Sequence, residues 1–258
     1  MKIALVTGAS SGLGREYVLE ISRAEPGIDE IWAVARRADR LEELKAVSRI
    51  PVRPVPADLT REEDIERIEA LLEKTKPEIR LLIHAAGFGK IGTLSQIDRR
   101  TCDRMIDLNC RAAVDVTYLA LPYMKEGSRI VEVCSTAAFQ PFPFLNVYAA
   151  SKAFLYRFTR ALRREVMHRG IGVTAVCPYW IRDTEFIPTA RDTEGGGAAI
   201  RHFPLSQSVR TVARYSLFDS RCGFAVSTPG IMCSLRRIAA KFIPADAMMG
   251  IWELIRKL

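Results

Sequence analysis

Tyr148 and Lys152 stand four residues apart in Tyr148-Ala149-Ala150-Ser151-Lys152, and Ser135 lies thirteen residues before the tyrosine. On a helix, an i,i+4 pair shares one face. A phenol with a pKa of about 10 is a poor acid or base at neutral pH, and an ammonium a few ångströms away lowers that value. Tyr-x-x-x-Lys alone occurs by chance in many helices; Ser135 gives it meaning. The serine ends the apolar run Ile130-Val131-Glu132-Val133-Cys134-Ser135, which places it at the strand edge where open α/β sheets bind ligands. A hydroxyl, a phenol and an ammonium gathered there can hold a substrate oxygen and exchange a proton with it.

A second group of residues suits an anion. Ile3-Ala4-Leu5-Val6 leads into Thr7-Gly8-Ala9-Ser10-Ser11-Gly12-Leu13-Gly14, and a helix-forming run from Arg15 to Glu20 follows. A strand, a glycine turn and a helix opening expose backbone N–H groups and a positive dipole end to a phosphate. The bare spacing Gly-x-x-x-Gly-x-Gly also fits an ordinary turn, but its position directly after a strand favours the phosphate site. A second strand ends at Ala35, where NAD sites commonly carry an acid for the ribose 2′-OH. Here Arg36-Arg37 follows, with no carboxylate before Asp39. Two guanidiniums match a 2′-phosphate in charge and in bidentate geometry, and Ser10 can add a hydroxyl. The alternative is a solvated strand end. The expected cofactor is NADP(H) rather than NAD(H).

The elements that position these residues alternate from the start. Strands are expected at Lys2–Thr7, Ile31–Ala35, Val52–Val55, Ile79–His84, Arg129–Cys134 and Ile171–Cys177, with a short seventh near Gly223–Val226. Helices are expected at Gly12–Arg23, after Asp39 as cap, after a Thr60/Glu63 capping box, over Met105–Met124, Val147–His168 and Leu205–Asp219. Strand–helix alternation with short turns predicts an α/β fold: one Rossmann-like domain over 1–258, doubly wound about a parallel sheet with helices on both faces. Residues 179–205 are irregular and contain Gly195-Gly196-Gly197, which suits either a binding loop or a surface excursion. The tail over 231–258 reads as two amphipathic helices separated by Pro244.

With its motifs in this order, the chain resembles the short-chain dehydrogenase/reductase family over about residues 1–185. The resemblance implies that Tyr148 exchanges a proton with a carbonyl or secondary alcohol and that Ser135 holds the substrate oxygen. Lys152 would hydrogen-bond the nicotinamide ribose and depress the tyrosine pKa, and Asn109, in Asp107-Leu108-Asn109-Cys110, would hold a water of a proton relay. It implies cofactor contacts from Gly8, Ser10, Ser11, Gly12, Leu13 and Gly14 in the turn, from Asp58 and Leu59 at the third strand, and from Ala85, Ala86 and Gly87 at the fourth. Tyr148 and Lys152 would touch the cofactor too, as would Pro178, Ile181 and Thr184. His84 stands where the family usually has asparagine and is expected to be structural. Tyr179 replaces the glycine that usually follows Pro178, which puts the contacts of Ile181 and Thr184 in doubt.

Several bounds follow from composition. Of 258 residues, 48% are hydrophobic and 26% charged, as in soluble globular proteins. The six cysteines form no CxxC pair, which suggests free thiols in a reducing, cytoplasmic setting. Met1 runs directly into a strand without a leader pattern, and no run nears the roughly 20 apolar residues of a membrane span. The net charge of +8 reads as solvated helix faces; no nucleic-acid motif accompanies it, and a membrane-surface role for the tail is the weaker alternative. Aromatic residues such as Phe142, Phe144, Trp180 and Phe186 predict an apolar substrate pocket. The family resemblance implies a homodimer or homotetramer, with Phe154, Phe158 and Leu162 as candidate contacts. The rival functional reading is a catalytically silent NADP(H)-binding regulator.

Overall fold

Strand β1 (Lys2–Thr7) is buried at every residue after Lys2, so both of its faces must be covered. Ile3 and Leu5 point to one side and Ala4 and Val6 to the other, as the two-residue period of a strand requires. The computed structural model describes residues 1–193, 199–200 and 205–256. Among them, β1 and β2 (Glu30–Ala35), β3 (Val52–Pro56), β4 (Glu78–His84), β5 (Arg129–Val133), β6 (Gly172–Val176) and β7 (Val226–Ser227) form one sheet in the order β3-β2-β1-β4-β5-β6-β7. All the pairings are parallel. The order reverses at β1, which pairs with β2 on one side and β4 on the other. That switch point opens the crevice where doubly wound sheets bind ligands.

Two helical layers close the faces. Ile65, Ile68 and Leu72 of α3 (Glu62–Thr75), Val116 of α5 (Ala112–Ala120) and Leu162 of α6 (Asn146–Val166) pack on the side of Leu5. Tyr17 and Ile21 of α1 (Gly12–Ala24), Leu41 and Leu44 of α2 (Ala38–Val47) and Val212 and Leu217 of α8 (Val209–Arg221) pack on the side of Val6. The buried Tyr17 and Ser216 hydroxyls, 2.6 Å apart, tie α1 to α8. The two tail helices form on either side of Pro244, as α9 (Ile231–Phe242) and α10 (Ala245–Ile255).

Several boundaries differ from expectation for local reasons. The helix expected from Met105 starts at Arg99 as α4 (Arg99–Ile106), because the Asp98 carboxylate accepts from Thr101 N at 2.9 Å. It passes through a π turn, Asp107–Arg111, before continuing as α5. The Thr60/Glu63 capping box does not form: the Thr60 hydroxyl donates to Asp58 Oδ1 at 2.7 Å, and Arg61 is the N-cap of α3. Asp39 lies in the first turn of α2, behind Arg37 as N-cap. α8 begins four residues late, where Ser208 caps it. Within the irregular stretch a short helix, α7 (Phe186–Arg191), forms, and Gly195-Gly196-Gly197 lies outside the described residues. Of the residues expected on an association face, Leu162 belongs to the core, Phe158 is half-buried against it, and Phe154 is exposed.

Candidate active site

The glycine turn connects β1 to α1 and needs its glycines sterically. Gly8 has φ +68°, and a Cβ there would lie 2.7 Å from Ala86 N, so no side chain fits between the ends of β1 and β4. A Cβ on Gly14 would run into the Gly8 carbonyl, so α1 starts directly against the turn. Thr7, fully buried, accepts from Ala86 N at 3.2 Å and locks the same two strand ends. The result is a backbone-lined cradle at the switch point, where a phosphate can approach N–H groups closely.

One cavity of about 400 Å³ runs from this cradle along the strand ends. Gly8, Ser10, Ser11, Gly12, Leu13 and Gly14 line its floor, and Arg36, Arg37, Asp58 and Leu59 line one end. Ala85, Ala86 and Gly87 follow at mid-length, then Ser135, Tyr148 and Lys152 at the far end, with Pro178, Ile181 and Thr184 opposite. Asn109 alone of the expected site residues does not line it.

The arginines are already engaged. Arg36 Nη1 lies 3.8 Å from Asp58 Oδ2. Burial raises the Asp58 carboxyl, but hydrogen bonds from Thr60 and the Arg36 guanidinium outweigh it and hold the group below its ordinary value. Arg37 donates to both oxygens of Glu185, at 3.2 and 3.0 Å, and to Ser10 Oγ. These hydrogen bonds hold the Glu185 carboxyl below its ordinary value. Glu185 is a site residue that sequence reasoning did not single out. No local motif marks it, since it comes to the cavity from the irregular stretch.

At the other end, the first turn of α6 sets Tyr148 beneath the loop that follows β5. Ser135 lies two residues beyond the end of that strand and caps the short turn Thr136–Phe139, its Oγ accepting from Ala137 N at 3.1 Å. Burial pushes the Tyr148 phenol up to about 12, against a hydrogen bond with Ser135 that lowers it. Burial likewise lowers the Lys152 ammonium. Lys152 Nζ donates to Val133 O at 2.8 Å and lies 5.9 Å from the Tyr148 ring centre.

Asn109 sits in the π turn and is fully buried. Its Oδ1 accepts from Phe88 N at 3.0 Å, and its Nδ2 donates to Phe88 O and Ser151 Oγ, both at 2.9 Å. Ser151 Oγ donates onward to Tyr148 O at 2.7 Å. The amide thus ties the loop after β4 to the helix bearing the tyrosine. π turns inside α-helices recur at functional sites, and here the turn brings Asn109 against both. Gly89 is a second missed residue: a Cβ there would lie 2.8 Å from Tyr148 Cδ2. Only its backbone can pass the ring.

Aromatic rings and the tail build the remaining wall. Phe186 meets Tyr148 at 5.4 Å between ring centres. Trp252 packs edge-on to Phe142 at 5.0 Å and donates from Nε1 to Pro143 O at 3.1 Å. Arg236 of α9 lies over both Phe142, at 5.6 Å, and Tyr179, at 4.9 Å, so the tyrosine in place of glycine serves as a platform for the tail. Thr184 remains against the turn: a Cβ on Gly12 would lie 3.4 Å from its side chain. Its hydroxyl donates to Ile181 O at 3.2 Å.

His84 stays outside the cavity lining. Its Nε2 lies 3.1 Å from Thr117 Oγ1 and 3.7 Å from Glu132 Oε1. Burial, followed by the Lys152 charge, lowers the His84 imidazole to about 3, so it is neutral. Burial also raises the Glu132 carboxyl well above its ordinary value. Among the described residues no group of His, Cys, Asp or Glu could hold a metal ion.

Comparison with known proteins agrees with this arrangement. Residues 2–195 match the model of the short chain dehydrogenase family. A sulfoacetaldehyde reductase of Chromohalobacter salexigens is 32% identical over 207 residues, 76% of this chain and 79% of that protein. A short-chain dehydrogenase from Sphingobium yanoikuyae, solved in complex with NADPH, superposes with a TM-score of 0.79 at 28% identity, covering 100% of this chain and 97% of that one. The bulky-bulky ketone specific alcohol dehydrogenase of Comamonas testosteroni gives 0.75 at 25% identity, covering 100% and 96%.

Proposed function

The chain belongs to the short-chain dehydrogenase family and is an oxidoreductase, and from that premise we propose that it uses NADP(H) to interconvert a hydrophobic carbonyl compound and its secondary alcohol. One observation carries the reading: the same cavity joins Arg36 and Arg37 to Ser135, Tyr148 and Lys152 through the glycine cradle. The cradle fits a dinucleotide, because glycine backbone at Gly8, Gly12 and Gly14 lines the cavity where α1 begins, leaving the N–H groups of the turn open to a pyrophosphate. Gly8 to Gly14 would hold the pyrophosphate, Arg36, Arg37 and Ser10 the 2′-phosphate, and Asp58 and Leu59 the adenine. The residues from Ala85 to Gly87, with Lys152, Pro178, Ile181 and Thr184, would hold the nicotinamide half. When bound, the nicotinamide supplies or accepts a hydride.

The chain's own groups then handle the oxygen and its proton. Ser135 holds the substrate oxygen by a hydrogen bond, and Tyr148 donates its phenolic proton to that oxygen as it becomes an alkoxide, or withdraws it in the reverse direction. Burial keeps the phenol high and protonated, which suits donation to a carbonyl. Lys152 stabilises the phenolate left behind, and Asn109 positions the helix that carries Tyr148. Phe142, Phe186, Tyr179 and Trp252 favour an apolar substrate, and the bulky-ketone specificity named for the Comamonas enzyme agrees with such a pocket.

The deciding experiment titrates NADPH and NADH in parallel, by nucleotide fluorescence, into the wild type and Arg36→Ala/Arg37→Ala. A carbonyl screen with wild type and Tyr148→Phe accompanies it. Tight NADPH binding that falls to the NADH level in the double variant, with turnover abolished by Tyr148→Phe, supports the reading. Equal affinity for both nucleotides reduces Arg36-Arg37 to a solvated strand end. Binding with no turnover of any carbonyl leaves the silent regulator.

A further inference from the structure

The substrate end of the cavity holds a charge that the reaction does not use. Asp58 and Glu185 are the carboxylates among the described lining residues, and both lie toward the cradle end, paired with Arg36 and Arg37. The remaining charged lining residues are Lys152 and Arg236, both cations. Lys152 donates to Val133 O at 2.8 Å beside Tyr148. Arg236 makes no side-chain hydrogen bond or ion pair with any described residue. It is half-buried, and α9, which carries it, packs against the turn Thr136–Phe139 that Ser135 caps. Its guanidinium carbon lies 5.6 Å from the Phe142 ring centre and 4.9 Å from that of Tyr179. These rings hold the head of a long side chain at the cavity wall, and cation–π attraction leaves its N–H fork without an acceptor.

A wholly apolar ligand filling this end would strip water from those N–H groups and leave the donors unsatisfied, which is costly. A carboxylate replaces the water, because its two oxygens match the planar fork of a guanidinium. No carboxylate of the lining stands there to repel it. Phe142, Tyr179 and Trp252 surround the position with apolar surface, so the ligand that fits has an apolar body with an anion at one end. We propose that Arg236 is a specificity-determining residue that pairs with a carboxylate of the substrate. The substrates are then oxo acids and the corresponding hydroxy acids, whose apolar segment runs from Ser135 and Tyr148 to α9. The inference rests on the carbonyl chemistry proposed above and adds which end of the substrate faces the tail.

The test compares 4-acetylbenzoate and 7-oxooctanoate with their methyl esters as substrates of the NADPH-supplied wild type, Arg236→Lys and Arg236→Gln. The wild type should prefer the acids in kcat/KM, mainly through KM. Arg236→Gln should lower the acid-to-ester ratio of kcat/KM by about 10- to 100-fold. Arg236→Lys, which keeps the charge without the fork, should fall between. Esters turned over as well as acids by the wild type overturn the proposal, as does a ratio that Arg236→Gln leaves unchanged; Arg236 is then only a strap between the tail and the Phe142 and Tyr179 rings. Tryptophan fluorescence titration with the same four compounds, with and without NADPH, reads the subsite without turnover. The wild type should bind the acids, and Arg236→Gln should bind them at least about tenfold more weakly. Acids that bind through Arg236 but are never turned over would sink the carbonyl chemistry and keep the anion subsite. Acids that the wild type does not bind, or that both proteins bind alike, would sink the subsite itself.

Discussion

The Arg37 guanidinium grips the Glu185 carboxylate with two parallel hydrogen bonds, at 3.2 and 3.0 Å, across the end of the cavity. A side chain of the loop after β6 thus stands beside the cation that the proposed 2′-phosphate needs. Phe186, the next residue, meets Tyr148, so one loop touches both ends of the site. Binding of a 2′-phosphate has to displace this carboxylate or share Arg37 with it, and either arrangement opposes like charges. Exposed pairs of this kind are worth roughly 0.2–1 kcal/mol. Glu185→Gln should therefore tighten NADPH by about 1.5- to 5-fold and NADH by less. Fluorescence titration reads both, and an unchanged NADPH affinity would sink the competition.

Gly89→Ala places a methyl where 2.8 Å separates it from Tyr148 Cδ2 and 3.1 Å from Phe186 Cζ. Both rings have to move. The phenol is displaced from the Ser135 hydroxyl, while the glycine cradle and Arg37, at the far end of the cavity, are untouched. The expected result is a fall in kcat of about 10²-fold or more, as for other misplacements of an acid–base group, with NADPH affinity kept within about twofold. Loss of nucleotide binding to the same degree would show a general folding defect instead.

The order of strands and helices was legible in the sequence because each buried strand leaves a short apolar run and each turn a Gly, Pro or cap signal. Gly8, Arg36, Ser135, Tyr148 and Lys152 could be placed along one cavity because each sits at a strand end or helix start with a fixed offset. What stayed hidden depends on distance in space. Glu185 and Gly89 belong to loops with no periodicity, and their partners Arg37 and Tyr148 are far along the chain. The π turn around Asn109 hides inside an unbroken helical pattern. The Thr60/Glu63 box failed because Asp58 competes for the Thr60 hydroxyl, a contact that pattern matching does not weigh.

The protonation state of Tyr148 separates the two directions of reaction. Burial pushes its phenol up to about 12, so the acid form is present throughout the neutral range. Carbonyl reduction should hold its kcat/KM between about pH 6 and 8, whereas alcohol oxidation, which needs the phenolate, should climb toward tenfold per pH unit. Lys152→Met removes the nearby positive charge, so the oxidation limb moves to higher pH. Initial-rate pH profiles in both directions measure this, and a bell centred near neutrality for oxidation by Lys152→Met would contradict it.

His84 and Glu132 face each other across β4 and β5, 3.7 Å apart and buried, and burial drives their affinities for protons in opposite senses. The His84 imidazole falls from 6.5 to about 3. The unfolded chain therefore binds a proton below about pH 6.5 that the folded chain refuses, and this contribution to stability is lost as pH falls from 6.5 toward 3. The Glu132 carboxyl is raised well above 4.5. The folded chain holds a proton there that the unfolded chain releases, so this contribution is present below pH 4.5 and lost as pH rises through the raised value. Just above pH 4.5 the two slopes oppose each other, with one proton per group bounding each at about 1.4 kcal/mol per pH unit. Replacing one partner uncovers the other. His84→Gln should gain stability on acidification from pH 6 relative to wild type, and Glu132→Gln should lose it, by about 1 kcal/mol over one pH unit in each case. Urea unfolding at two pH values on the three proteins measures both slopes. Parallel pH dependences in all three would mean that neither group changes its proton affinity on folding, and the pair would then be partly hydrated inside the fold.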